Sequence, residues 1–130
     1  MRLRILVADD QPGIRKRVCV TLASLVDLDV CDEAANGLEA VEKVKESVPD
    51  LVILDVTMPL MNGLDAARRI HAFTPNTPIL ILTMHKSRQL MEEAQKIGVK
   101  GYVVKGEAGQ SLASAVTALM QCQTFFPTEF

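Results

Sequence analysis

Five side chains in this sequence could serve one piece of chemistry together: Asp9, Asp10, Asp55, Thr83 and Lys105. Each closes or follows a short aliphatic run, namely LRILVA before Asp9-Asp10, LVIL before Asp55, PILIL before Thr83 and GYVV before Lys105. Three carboxylates brought together repel one another and need a counter-charge. A hard divalent cation held by oxygens supplies it, and Mg²⁺ also keeps waters and recruits phosphate oxygens. A lysine adds a compact ammonium for a phosphoryl oxygen, and a threonine adds a hydroxyl donor. Such a set suits phosphoryl transfer, in which positioning and charge neutralisation dominate. A carboxylate can itself be the nucleophile and become an aspartyl phosphate. Asp55 is best placed for that role, with acids on one side and Lys105 and Thr83 on the other.

These residues meet only if the runs before them lie side by side. Short β-branched apolar runs at 3–8, 29–34, 51–54, 78–83 and 101–104 alternate with stretches of helical spacing. Those stretches carry Ile14, Val18, Leu22 and Leu25; Leu38, Val41 and Val44; Leu64, Ala67 and Ile70; Leu90, Ala94 and Ile97; and Leu112, Val116 and Leu119. Pro12 suits a first helical turn, Asn62-Gly63 a turn before the third helix, and Gly98 the end of the fourth. Five β-α units in succession predict an α/β fold, a parallel sheet covered by helices on both faces. The second run, polar at Asp32 and Glu33, fits a sheet edge. Functional crevices in such sheets lie beyond the carboxyl ends of the strands, at the point where strand order reverses. In a flavodoxin-like doubly wound (βα)5 arrangement of order 2-1-3-4-5, that point falls between strands one and three, beside Asp9, Asp10 and Asp55.

Composition narrows the classes. The chain has 130 residues, suited to one domain, and is 48% hydrophobic, so a packed core is expected. A net charge of -2 leaves no footprint for nucleic acid or a membrane surface. No run approaches the length of a transmembrane helix, and the N-terminal apolar stretch is too short for a signal peptide. The expected location is the cytoplasm. Cys19, Cys31 and Cys122 form no CxxC pair, and are expected to be ordinary thiols in a reducing compartment. One folded unit is expected over 1–122, with 123–130 as a C-terminal tail or the start of a linker.

Over residues 2–122 the sequence resembles a receiver (response regulator) domain of bacterial two-component signalling. The carrying stretches are VADD (7–10), LVILDVTMP with NGLD (51–65), ILT (81–83) and GYVVKG (101–106). The resemblance implies that Asp55 accepts a phosphoryl group from the phosphohistidine of a sensor histidine kinase. It implies Mg²⁺, or Mn²⁺ in its stead, bound by Asp10, Asp55 and the main-chain carbonyl of Thr57, with Asp9 acting largely through water. Thr83 and Tyr102 would be the switch pair, and Lys105 would contact the phosphoryl group. Phosphorylation adds about -1.5 to -2 charges and three acceptor oxygens. Thr83 can turn toward these, freeing space for Tyr102 and remodelling the surface of helix four, strand five and helix five. Activated homodimers are an implied partner state. The stretch QCQTFFP resembles the junction in NarL/LuxR-type regulators, so DNA would be reached through an effector domain outside this chain.

The sequence departs from the family at Met84, where a small residue is usual, and at Gly106, where proline is common. Met84 would crowd the phosphate entrance or the partner face. Two roles stand open for His85, bystander or modulator of dephosphorylation, while His71 is expected on the surface. Arg15-Lys16-Arg17 reads as a solvated helix face or a kinase contact. Other functions fit less well. A haloacid dehalogenase-type phosphatase needs an Asp at position 57, and a flavodoxin needs a Ser/Thr/Gly-rich loop in place of DDQPG. A standalone receiver, or a degenerate one that docks partners without phosphorylation, stays open as an alternative.

Overall fold

Aliphatic runs too short to be helices gain most by burying both faces in a parallel sheet, and that is how these runs are used. The computed structural model describes residues 2–128, without the side chains of 107–110. In chain order it contains β1 (Leu3–Ala8), α1 (Pro12–Leu25), β2 (Leu28–Ala34), α2 (Gly37–Ser47) and β3 (Leu51–Leu54). Then follow α3 (Gly63–Phe73), β4 (Ile79–Thr83), α4 (Arg88–Ile97), β5 (Gly101–Val104), a 3-10 turn (Lys105–Glu107) and α5 (Ala108–Met120). All strands are parallel, in the order β2-β1-β3-β4-β5. This is the flavodoxin-like order expected from the sequence, with β2 on an edge.

Successive strand residues point to opposite faces, and this splits the core in two. Leu6, Ala8, Val52, Leu54, Ile79, Ile81 and Tyr102 face α2, α3 and α4. Ile5, Val7, Leu51, Ile53, Leu80, Leu82 and Val103 face α1 and α5. Local signals set the helix ends. Asn36, Asn62 and Ser87 cap α2, α3 and α4 by accepting the N–H groups of Glu39, Asp65 and Leu90. Gly98 ends α4 at φ 112°, a left-handed conformation that a side chain would strain. The described residues contain no cis peptide bond, in keeping with Gly106 in place of proline.

Four expectations need correcting. Leu25 and Leu38 point outward at 41% and 42% exposure, because the buried residues of α1 are Val18 and Leu22 and those of α2 are Gly37, Ala40, Val41 and Val44. His71 is half-buried rather than on the surface, since its ring lies against Gly98, where a Cβ would sit 2.6 Å from Cε1. Cys19 and Cys31 are joined as a disulfide, not left as thiols, because α1 packs along β2 with their Cα atoms 5.8 Å apart. Cys122 is free and exposed. The segment after α5 does not simply trail away. Phe125 makes a parallel bridge with Gly101, its N–H donating to the Lys100 carbonyl and its carbonyl accepting from the Tyr102 N–H, each at 2.9 Å. The chain therefore covers part of the exposed edge of β5. Met1 and the last two residues of the expected tail lie outside the described residues.

Leu54 is wholly buried in the strand that ends at Asp55. Truncation to alanine is expected to cost about 3 kcal/mol in urea unfolding, the usual toll of a cavity plus lost transfer energy. Val20→Ala, at a position 72% exposed, should shift stability by less than about 0.5 kcal/mol. Equal effects would contradict the core assignment.

Candidate functional site

Parallel register brings the strand ends to one rim. Ala8 lies opposite Leu54, and the Asp55 N–H donates to the Ala8 carbonyl at 3.0 Å, so the chain leaves β1 and β3 as neighbours. Asp9, Asp10 and Asp55 each offer a carboxylate oxygen within 4.8 Å of the others. Asp9 and Asp55 are buried, at 3% and 8% exposure, while Asp10 is exposed. From beyond β5, the Lys105 ammonium reaches Asp9 Oδ2 at 2.5 Å and Asp55 Oδ2 at 3.2 Å. Asp9 Oδ1 accepts the Gln11 N–H at 2.9 Å, and Asp55 Oδ1 accepts the Val56 N–H at 2.8 Å. Burial works against the Lys105 charge, but the hydrogen bond to Asp9 and the charges of Asp55 and Asp9 outweigh it. Its pKa is raised, so the ammonium stays charged throughout the neutral range.

Thr83 is fully buried at the end of β4, and its Oγ1 accepts the His85 N–H at 3.2 Å. Thr57 is exposed, and its Oγ1 lies 2.9 Å from His85 Nε2. Tyr102 is fully buried, its side chain in the core beneath α4 and its hydroxyl donating to the His85 carbonyl at 2.6 Å. Burial raises the Tyr102 pKa, and the Asp55 charge adds to this against a lowering hydrogen bond from the Ser87 backbone. The loop after β4 thus meets the segment after β3 at Thr57 and the core at Tyr102. Met84 is 68% exposed and lines an apolar groove of about 370 Å³ with Ile14, Val18, Leu82, Lys105 and Leu112.

The sequence reading missed two supporting residues. Arg15 is not part of a solvated face: its guanidinium donates to the Asp9 carbonyl at 2.7 Å and to Glu33 Oε1 at 3.0 Å. Lys16 and Arg17 are exposed, as expected. Only knowledge of which α1 face packs on β2 could have separated the three. Gly63, expected merely to turn the chain, lies under Asp55, where a Cβ would sit 1.9 Å from the Asp55 carbonyl oxygen. The Gly63 N–H donates to Val56 at 2.8 Å, which ties the start of α3 to the loop carrying Asp55.

The donor set is all oxygen and anionic, convergent on one point, with Asp10 open to solvent. It fits a hard divalent cation that keeps part of its water shell. Soft thiolate or imidazole ligands are absent from that cluster among the described residues.

The family model for the response regulator receiver domain matches residues 5–117. The chain is 34% identical to the transcriptional regulatory protein LnrK of Bacillus subtilis, over 98% of this chain and 58% of that protein. It is 36% identical to the oxygen regulatory protein NreC of Staphylococcus carnosus, over 95% of this chain and 57% of that one. Among solved structures, a LuxR-family two-component response regulator from Aurantimonas superposes with a TM-score of 0.91 at 30% identity, over 96% of this chain and 89% of that one. The chain therefore belongs to the response regulator receiver domain family. It is related to regulators of the LuxR and NarL types, and phosphorylation on aspartate is the general mechanism of the receiver family. Receiver domains generally bind Mg²⁺ at an acidic site and interact with histidine kinases. The chain spans less than three-fifths of LnrK and NreC. Among the described residues, no helix is long and apolar enough to cross a membrane.

Gly63→Ala sets two effects against each other. Alanine favours a helix by about 1 kcal/mol over glycine. The clash with main chain at Asp55 cannot be relieved by a rotamer change, and forced backbone shifts cost about 1–3 kcal/mol. A net loss of stability in urea unfolding is expected, and a gain would refute the close approach.

Proposed function

We propose that Asp55 is the phosphoacceptor of this receiver, with Asp9, Asp10, Asp55 and the Thr57 main-chain carbonyl serving the metal and Lys105 and Thr83 serving the phosphoryl group. The observation that carries this reading is the convergence of three carboxylates within 4.8 Å, two of them bonded to Lys105. An Asp55 oxygen forms a bond to the phosphorus of a kinase phosphohistidine. The P–N bond breaks, and the imidazole leaves with the electron pair and takes up a proton. Asp9, Asp10 and Asp55 would hold Mg²⁺, which would supply charge neutralisation for the carboxylates and the phosphoryl oxygens. Lys105, already at Asp55 and held in its charged form, hydrogen-bonds a phosphoryl oxygen. The Val56 N–H bonded to the Asp55 carboxylate and the Asp55 N–H bonded to the Ala8 carbonyl keep Asp55 from turning away.

Thr83 and Tyr102 form the switch. Thr83 exchanges the His85 N–H for a phosphoryl oxygen, and the loop bearing the His85 carbonyl shifts, changing what Tyr102 bonds. The surface of α4, β5 and α5 passes the change to a partner. The tail offers a second route, because the Tyr102 N–H bonds the Phe125 carbonyl and Phe126 packs against the same core. We place the receiver over residues 1–122, with the segment beyond leading to a DNA-binding output in the cytoplasm. Support for that output is the longer relative LnrK, named a transcriptional regulatory protein. Activation would favour a homodimer.

Incubation with acetyl phosphate and Mg²⁺ should add the mass of one phosphoryl group to the intact chain, and chelation of Mg²⁺ should prevent it. Asp55→Ala should abolish the adduct. An undiminished adduct in that variant, or none in the parent, would sink the assignment and favour the degenerate receiver.

Beryllofluoride with Mg²⁺ should speed hydrogen exchange at the Tyr102 amide on the order of tenfold, equivalent to about 1.4 kcal/mol of local stability. An unchanged Tyr102 rate beside altered rates in α4 would exclude the route through Phe125.

A further inference from the structure

The bond between Cys19 and Cys31 crosses the seam between α1 and β2, next to a second tie of a different kind. Cys19 is four residues after Arg15 on α1 and therefore on the same helix face. Cys31 is two residues before Glu33 on β2 and therefore on the same strand face. Four residues of helix rise about 6 Å and two residues of strand about 6.6 Å. The two pairs thus match in spacing along antiparallel elements, and Arg15–Glu33 and Cys19–Cys31 form side by side. Arg15 in turn donates to the main-chain carbonyl of Asp9. Only Asp10 and Gln11 separate Asp9 from the first residue of α1. Both cysteines are half-buried, each with part of its surface open to solvent.

We propose that Cys19 and Cys31 form a reversible redox centre whose oxidation tightens the acidic site. The reactant is a low-molecular-weight disulfide of the glutathione class. One protein thiolate attacks a glutathione sulfur, the S–S bond breaks, and one glutathione leaves as a thiolate that takes up a proton. The second protein thiolate then attacks the protein sulfur of the mixed disulfide. This closes the Cys19–Cys31 bond and releases a second glutathione. Two electrons pass from the protein pair to glutathione disulfide, and both thiol protons end on the released thiols. In a reducing compartment such bonds are transient and serve sensing rather than structure, which suits a pair reachable from solvent.

The consequence at the site follows from order. With the bond closed, α1 is fixed to the sheet edge, and Arg15 holds the Asp9 backbone where the carboxylates converge. With it open, the seam rests on Arg15–Glu33 and apolar packing, and ordering must be supplied when a cation binds. The oxidised form is expected to bind Mg²⁺ on the order of fivefold more tightly, at the lower end of couplings between distinct sites. This link rests on the acidic cluster being the receiver's metal site, as proposed above; the thiol chemistry does not.

The test uses the full chain carrying Cys122→Ser, which removes the exposed thiol. Incubation with glutathione disulfide should remove two titratable thiols with no glutathione mass retained, and dithiothreitol should restore both. Calorimetric titration with Mg²⁺ should then show the fivefold difference between the two forms. The further double change Cys19→Ser and Cys31→Ser should abolish the redox response, with circular dichroism confirming its fold. Unchanged thiols, or a stable glutathione adduct, would overturn the redox centre. Clean oxidation with equal Mg²⁺ affinities would overturn the coupling. Clean oxidation with no Mg²⁺ binding in either form would instead count against the metal-site reading and leave the redox pair standing.

Discussion

Three carboxylates held within 4.8 Å are the constraint on which this structure depends. Alone, three like charges so close would repel one another. Lys105 relieves that repulsion, yet it comes from the far side of the sheet, 96 residues from Asp9. It can reach only if β4 and β5 follow β3 in order, so that the chain leaving β5 passes over the same rim. The strand order is thus tied to charge balance at the site as well as to hydrophobic burial. A half-buried ammonium between two buried carboxylates is a costly arrangement for stability alone, since apolar residues of similar volume often serve as well. Its presence points to function.

Rigid strands and a few polar contacts divide the labour. Asp55 follows a strand buried on both faces, and the glycine beneath it leaves no room for its backbone to settle. Around it the contacts are fewer and exchangeable: Thr83 holds a backbone N–H, Tyr102 a backbone carbonyl, and both belong to His85. A new anion at Asp55 would compete for Thr83 directly, and His85 would transmit the change to the core. His85 also meets Thr57 at the solvent side, so this one exposed histidine joins three residues of the site region.

The edges of the sheet carry the connections outward. At β2, α1 is held by an ion pair and a disulfide; at β5, the returning chain adds a short parallel bridge. Each lies one contact from a residue of the site, Asp9 in the first case and Tyr102 in the second. Unpaired edges invite aggregation, and the bridge at Phe125 covers part of the β5 edge.

Much of this was legible in the residues. A change of hydrophobic period from two to nearly four marked five β-α units, and the polar residue after each of four apolar runs marked the rim. Strand interiors and helix faces are local properties, so a single sequence carries them. That Asp9, Asp10, Asp55 and Lys105 meet at one rim was legible in the same way, since apolar strands leave few reasons for charge at their ends. The tertiary structure alone decided which of three adjacent basic residues serves the site, because Arg15 differs from Lys16 and Arg17 only in the face it turns to β2. It decided that Cys19 meets Cys31, that Gly63 lies under Asp55 and that Phe125 returns to β5. Such contacts join segments distant in the chain, and no spacing within either segment encodes where the other will lie.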